Sequence, residues 1–260
     1  MKLEDVIAKF EEFSPADFAE SWDNSGLMCG RHDKEIRSVL LAVDATDAVT
    51  EEAVLTDADL LLTHHPLIFP SISHISDKDI VGRRLLKLIA EDVACYAMHT
   101  NFDVVGMADE AADRIELSGR KVLMVTHKDQ ITEEGIGRAG ELPYEMTLKE
   151  CAEMVKEVFM IDNVRIFGDP ERKVKRAAIS PGSGKHMSRY AIEAGSDVLI
   201  SGDIDHHEGI DAVAAGLAVI DAGHFGLEKI FCPYMKDFIM REMPGIQVSI
   251  ASENAPFTVI

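Results

Sequence analysis

The chain has 260 residues, 47% of them hydrophobic, enough for one large domain or two small ones with a full core. Acidic residues outnumber basic ones 46 to 26, for a formal net charge of −20. That balance argues against a protein that binds duplex DNA or RNA by neutralising phosphates, and against docking onto anionic membranes. The four cysteines, Cys29, Cys95, Cys151 and Cys232, are far apart and form no CxxC pair, the pattern of free thiols in a reducing compartment. No apolar run approaches the roughly 20 residues of a membrane span, and the expected location is cytoplasmic.

In chain order, Leu3, Val6, Ile7 and Phe10 recur at helical spacing and predict an amphipathic first helix. Ser14-Pro15 predicts a second helix start, with proline at the first helical position. Short apolar runs at 39–43, 60–62 and 93–98 read as buried strands, with helices between them to about residue 55 and over about 78–90. A strand near 122–125 is followed by polar, glycine-containing sequence to about 145, read as a change of domain. Thr147 predicts the cap of a helix over Leu148–Phe159. Strands are expected near 164–167, 177–179, 197–200, 217–220 and 248–251. Helices are expected up to 194, over about 207–215, and over 228–243 with an interruption at Pro233. Alternating strands and helices give the α/β class.

Two stretches of the chain resemble each other. Asp59 opens an apolar strand ending in Thr63-His64-His65, and the next strand ends in His99-x-x-x-Asp103. Asp197 opens another, ending in Ser201-Gly202-Asp203, and the next ends in His224-x-x-x-Glu228. The pattern predicts two related α/β halves facing each other. The first is 1–125, completed by 245–260, and the second is 126–244.

The chemistry-bearing residues gather after strands, where open α/β sheets bind ligands. Neighbouring side chains on an extended chain point in opposite directions, so His64 and His65 could serve two metal ions, or one ion and its support. In each His-x-x-x-acid pair, i,i+4 spacing puts imidazole and carboxylate on one face of a helical turn. Imidazole and carboxylate suit zinc, manganese or iron, and several histidines with two carboxylates are what a two-metal hydrolytic centre needs. Pro181-Gly182-Ser183-Gly184-Lys185 lies between a strand and a helix. It reads either as a tight turn or as a phosphate contact through Gly182, Ser183 and Gly184, without P-loop spacing. Trp22 is either a wall of the active-site cleft or a partly buried turn residue. His206-His207 reads as the start of a surface helix.

Trp22-Asp23-Asn24-Ser25-Gly26-Leu27, His64-His65-Pro66-Leu67-Ile68-Phe69, His99-Thr100-Asn101-Phe102-Asp103 and Gly223-His224-Phe225-Gly226-Leu227-Glu228 resemble, in this order, the blocks of the Nif-three-like dinuclear-metal proteins. These are often called GTP cyclohydrolase 1 type 2 homologs, and the resemblance runs to Asn254-Ala255-Pro256-Phe257. It implies three-layer α/β halves with mixed sheets, packed face to face, with the metal site in the cleft between them. It implies that His64, His65, Asp103, His224 and Glu228 ligate two divalent ions: zinc, manganese or iron. His64, Asp103 and Glu228 would hold one ion and His65, His224 and Glu228 the other, with Glu228 bridging. His99, taken as the repeat counterpart of His224, is either a sixth ligand or a group supporting the ligands. Asp203, the counterpart of His65, is a weaker supporting candidate.

Such cations lower the pKa of water toward neutrality and polarise a substrate oxygen. The implied function is a metal-dependent hydrolase acting on a small anionic, nucleotide-like molecule. The rival reading is a non-enzymatic metal-binding or regulatory protein. The resemblance also implies a homohexamer, a trimer of dimers.

Overall fold

The apolar runs of this chain lack the polar alternation of a one-sided sheet, because their strands are covered on both faces. Residues 1–259 are described by the computed structural model. The chain begins with α1 (Leu3–Phe13), whose Leu3, Val6 and Phe10 are buried. Ser14 closes that helix through its N–H to Phe10 O, so Ser14-Pro15 marks a helix end rather than the expected start. Only a short 3-10 turn, Ala16–Phe18, follows. Then come β1 (Gly26–Cys29), β2 (Ser38–Ala42), α2 (Asp47–Leu55), β3 (Leu60–Thr63), α3 (Ile80–Ala90), β4 (Ala94–Ala97) and the short α4 (Thr100–Phe102).

A π-helical segment, Asp103–Met107, leads into α5 (Ala108–Arg114). There follow β5 (Ser118–Lys128), β6 (Glu133–Thr147), α6 (Leu148–Phe159), β7 (Arg165–Phe167) and β8 (Lys173–Ser183). Next are α7 (Met187–Glu193), β9 (Val198–Gly202), α8 (His206–Ala214), β10 (Ala218–Asp221) and α9 (His224–Glu228). The chain ends with α10 (Phe231–Glu242), which carries Pro233 in its first turn, where no helical N–H is needed, and with β11 (Gln247–Ile250).

Two compact units result: Met1–Phe102 with Phe231–Asn254, and Asp103–Ile230 with the tail from Ala255. The first holds a five-stranded sheet in the order β1-β4-β3-β2-β11, parallel except for β1 at the edge. Leu40, Leu61 and Cys95 face α2 and α3, and on the other side Phe10 of α1 meets Tyr96 and Phe238. The second holds a six-stranded sheet in the order β5-β6-β8-β9-β10-β7. Its β8, β9 and β10 are parallel, and β7 pairs antiparallel at the edge. Ala178, Leu199 and Val219 pack with Met187 and Ala191 of α7 and Ala212 of α8.

The predicted repeat is visible in these hydrogen bonds. Asp59 accepts from the N–H groups of Arg37 and Ser38 at the start of β2, at 2.8 and 3.1 Å. Asp197 does the same for Lys175 and Arg176 in β8, at 2.9 and 2.8 Å. Their carbonyls then accept from Ala94 and Ala218. The helices entering β3 and β9 turn off through left-handed residues, Asp57 and Gly195. Ala58 N–H returns to Ala53 O and Ser196 N–H to Ala191 O. Each Asp therefore sets the register of two neighbouring parallel strands before the apolar run begins.

The sequence reading divides the chain at 125/126 and 244/245, whereas the compact units divide it at 102/103 and 230/231. The segment 118–128 pairs with β6 in the second sheet, so the expected break near 120–145 is a long hairpin. Its glycines mark close approaches: a Cβ at Gly135 would collide with Met124 O, and one at Gly140 with Ser118 O. Arg138 binds the preceding helical run to that hairpin through Asp109 and Val104 O. At the other boundary, α10 packs on β2 and β11. Of the expected closing segment 245–260, Ile260 lies outside the described residues.

Asp59→Ala and Asp197→Ala each strand two β N–H donors and are expected to lower stability by about 1–3 kcal/mol. Urea unfolding measures this as a lower midpoint at unchanged slope. An unchanged midpoint in both variants would show that these carboxylates do not organise the sheets.

Candidate metal centre

In the first unit the β2–β3 ladder runs past the strand ends, with His64 N–H on Ala42 O and His65 N–H on Val43 O. Thr63 Oγ1 donates to His65 O at 2.7 Å and folds the tip. His64 is buried, and its Nδ1 lies 2.8 Å from Met98 O. His65 Nδ1 lies 2.8 Å from Asp44 Oδ1. The backbone under Asp44 is pinned by Glu253, whose carboxylate accepts from Val43 N–H at 2.6 Å and Asp44 N–H at 3.0 Å. Burial pushes the Glu253 carboxyl up.

His99 Nδ1 lies 2.6 Å from Asp23 Oδ1, and the Asp23 side chain is fully buried. Asp23 also accepts from the Thr100 and Ser25 hydroxyls at 2.6 and 2.7 Å. Burial works to raise the Asp23 carboxyl, but the His99 ring and the two hydroxyls outweigh it and hold it well below the usual carboxylate range. One ring nitrogen from each of His64, His65 and His99 lies within 4.8 Å of the other two.

In the second unit, α9 presents His224 and Glu228 on one face, with Nε2 2.9 Å from Oε2. The Glu228 side chain is 3% exposed. His224 Nδ1 lies 2.8 Å from Asp203 Oδ2. Asp203 has φ +54°, a left-handed conformation that aspartate tolerates better than most residues. Two glycines make room for the pair. A Cβ on Gly182 would collide with the Glu228 carboxylate, and one on Gly202 would lie 2.5 Å from His224 N. Asp103 opens the π-helical segment of this unit. Arg138, 5% exposed, holds the next residue, Val104, by its carbonyl.

The Nδ1 contacts decide what these rings can do. A carbonyl or an ionised carboxylate can only accept, so each of the four imidazoles donates from Nδ1, and Nε2 is the ring atom turned toward any further partner. At His224 that atom faces a buried carboxylate oxygen. An imidazole nitrogen and a carboxylate oxygen at 2.9 Å share either a proton or a cation. Imidazole Nε2 plus carboxylate oxygen is the donor set of zinc, manganese or iron. The residues therefore fit a divalent metal, and both donor sets could hold one.

The sequence motifs single out His64, His65, His99, His224 and Glu228 but not Asp23 and Asp44, which hold His99 and His65, nor Arg138. The available signal for Asp44 was its place directly after an apolar run, the same place the histidines hold. Gly182, Ser183 and Gly184 do not stand ready as an anion cradle. Gly184 N–H donates to Gly202 O, His186 N–H to Glu208, and Gly182 backs the Glu228 carboxylate. His206 and His207 begin α8, capped by Asp205, as expected. The strand register also shifts the repeat. Thr63 pairs with Ala97 and Ser201 with Asp221, so His99 stands two residues past its pairing position and His224 three.

The family model for Duf34/NIF3 (NGG1p interacting factor 3) matches residues 1–256. A Clostridium perfringens protein called GTP cyclohydrolase 1 type 2 homolog is 38% identical over 231 residues, covering 88% of this chain and 87% of its own. Its namesake in Clostridium acetobutylicum is 35% identical over 230 residues, with 88% and 85% covered. Among solved structures, a Bacillus cereus protein related to NIF3 has the same fold, with a TM-score of 0.91 at 23% identity, covering 100% of this chain and 99% of that one. Reduced HcgD from Methanocaldococcus jannaschii matches with a TM-score of 0.82 at 30% identity, over 97% and 98% of the two chains. The α/β architecture and the motif order are accounted for together: the chain belongs to the DUF34/NIF3 family.

Proposed function

We propose that His64, His65, Asp103, His224 and Glu228 hold a pair of divalent cations, and that the protein is a metal-dependent hydrolase for a small anionic, nucleotide-like substrate. The observation that carries this reading is the His224–Glu228 pair, an imidazole Nε2 set 2.9 Å from a buried carboxylate. The name carried by the relatives, GTP cyclohydrolase 1 type 2 homolog, supports the substrate class. In this reading His64, Asp103 and Glu228 hold one cation, and His65, His224 and Glu228 hold the other.

Two such cations lower the pKa of water and polarise a substrate oxygen. The protein's part is to aim the donors. Met98 O, Asp44 and Asp203 fix the His64, His65 and His224 rings, and Gly182 leaves room for Glu228. Asp23 fixes His99, which either adds a donor or supports its neighbours. The Gly184 and His186 N–H groups are already engaged, so bound cations, rather than the 182–184 turn, would supply the positive charge for a substrate anion.

Metal analysis of the purified protein is expected to give about two ions per chain, with a sharp fall in Glu228→Gln. Gly182→Ala should also lose metal although it removes no ligand atom. One ion or none in the unmodified protein rejects the dinuclear centre. Asp203→Asn is expected to weaken metal affinity about 10- to 100-fold while the fold persists.

A panel of nucleotides and phosphoesters with added Mn²⁺ or Zn²⁺ should show turnover that disappears in the His64→Ala, His65→Ala double variant. Bound metal without turnover would favour a non-catalytic metal-binding or regulatory protein. The proposed assembly is a homohexamer, tested by sedimentation for a mass about six times that of the chain.

A further inference from the structure

Trp22, the one tryptophan of the sequence, is 58% exposed, and Phe69 beside it is 50% exposed. Their ring centroids are 6.0 Å apart with planes at 63°. Each also meets the His99 imidazole edge to face, at 6.1 Å and 76° for Trp22 and at 6.1 Å and 78° for Phe69. Three rings thus form a corner in which every contact uses an edge, while the two large rings remain open to solvent.

The corner is braced from behind. Asn24 Nδ2 donates to Ile68 O at 2.5 Å, tying the residues beside Trp22 to those beside Phe69. Asp23 ties the same loop to His99 and Thr100. Phe69 follows His64 and His65 in one short loop. Neither large ring is spent on the core; Ser21, Asn24 and Ser71 beside them are exposed and polar, while Pro70 and Ile72 continue the exposed surface along the loop after Phe69. Two open rings set at an angle and closed at the back by the His99 imidazole match one flat ligand ring. Base-on-aromatic stacking tolerates any base because each has a π face.

We propose that Trp22 and Phe69 form a stacking corner for a planar nitrogen heterocycle of the nucleobase class, which sets that ring against His99 beside His64 and His65. The proposal deepens the metal-hydrolase reading and rests on it for what happens next to the ring; ring binding itself needs no cation. A neutral nucleoside is the right probe, since a chain of net charge −20 repels a phosphate when no cation is bound.

The experiment follows the intrinsic fluorescence of Trp22 in chelator-treated, full-length protein, excited at the red edge of the indole band, during titration with guanosine. Saturable quenching is expected. Phe69→Ala should keep the tryptophan and the metal content but weaken guanosine binding by about tenfold. Ribose 5-phosphate should leave the fluorescence unchanged. In Trp22→Phe the heat of guanosine binding, measured by calorimetry, should fall with the affinity. Absence of saturable quenching, an unchanged affinity in Phe69→Ala, or an equal response to ribose 5-phosphate overturns the proposal. Metal analysis of the same samples separates the two readings. Quenching in a protein that takes up no metal keeps the corner and rejects the metal centre, while metal uptake without quenching does the reverse.

Discussion

The candidate donor sets of the two units are built on one contact made four times: imidazole Nδ1–H against an oxygen that can only accept. Met98 O, Asp44, Asp23 and Asp203 make that contact to His64, His65, His99 and His224, at 2.6–2.8 Å. The contact fixes the ring plane and the direction of Nε2 together. An imidazole free to rotate would give up orientational entropy each time it bound a ligand. Here that ordering is already complete when the chain has folded. The anchors are themselves anchored, as Glu253 shows by holding the backbone at Asp44 from the far end of the sequence.

The two units share a scaffold and differ at its tips. Asp59 and Asp197 pin equivalent strand starts, and the equivalent helices turn off through equivalent left-handed residues. Beyond the strand the sequences part: Thr63-His64-His65 in one unit, Ser201-Gly202-Asp203 in the other. Glycine at the position of His64 admits the backbone of His224, and aspartate at the position of His65 becomes the anchor of that same ring. One strand tip thus supplies imidazoles and its counterpart supplies the carboxylate that orients one.

Most of the architecture was legible because parallel strands buried on both faces write themselves as unbroken apolar runs. Leu60-Leu61-Leu62 and Val198-Leu199-Ile200 could hardly be anything else. Thr147 with Glu150 forms a complete capping box, which is why α6 begins where the sequence placed it. The β5–β6 hairpin was not legible, because Gly135, Gly137 and Gly140 look like breaks when they are places where one strand crowds another. The histidines of the centre stood out by their chemistry. Their anchors did not, since an aspartate or a backbone carbonyl at a strand end is common, and its partner lies far away in sequence: 76 residues for Asp23 and His99. The displaced register of His99 and His224 was invisible too, because the His-x-x-x-acid spacing is identical in both and only strand pairing reveals the offset.

Gly182 shows how a position can be constrained while offering no side-chain atom. Its contribution is a volume left empty, into which one oxygen of Glu228 fits. A substitution scan would rank such a residue with the ligands, and a search for chemically reactive side chains would pass it over. The mould that seats the carboxylate is cast in backbone, so the constraint on this stretch of β8 is one of shape rather than of reactivity.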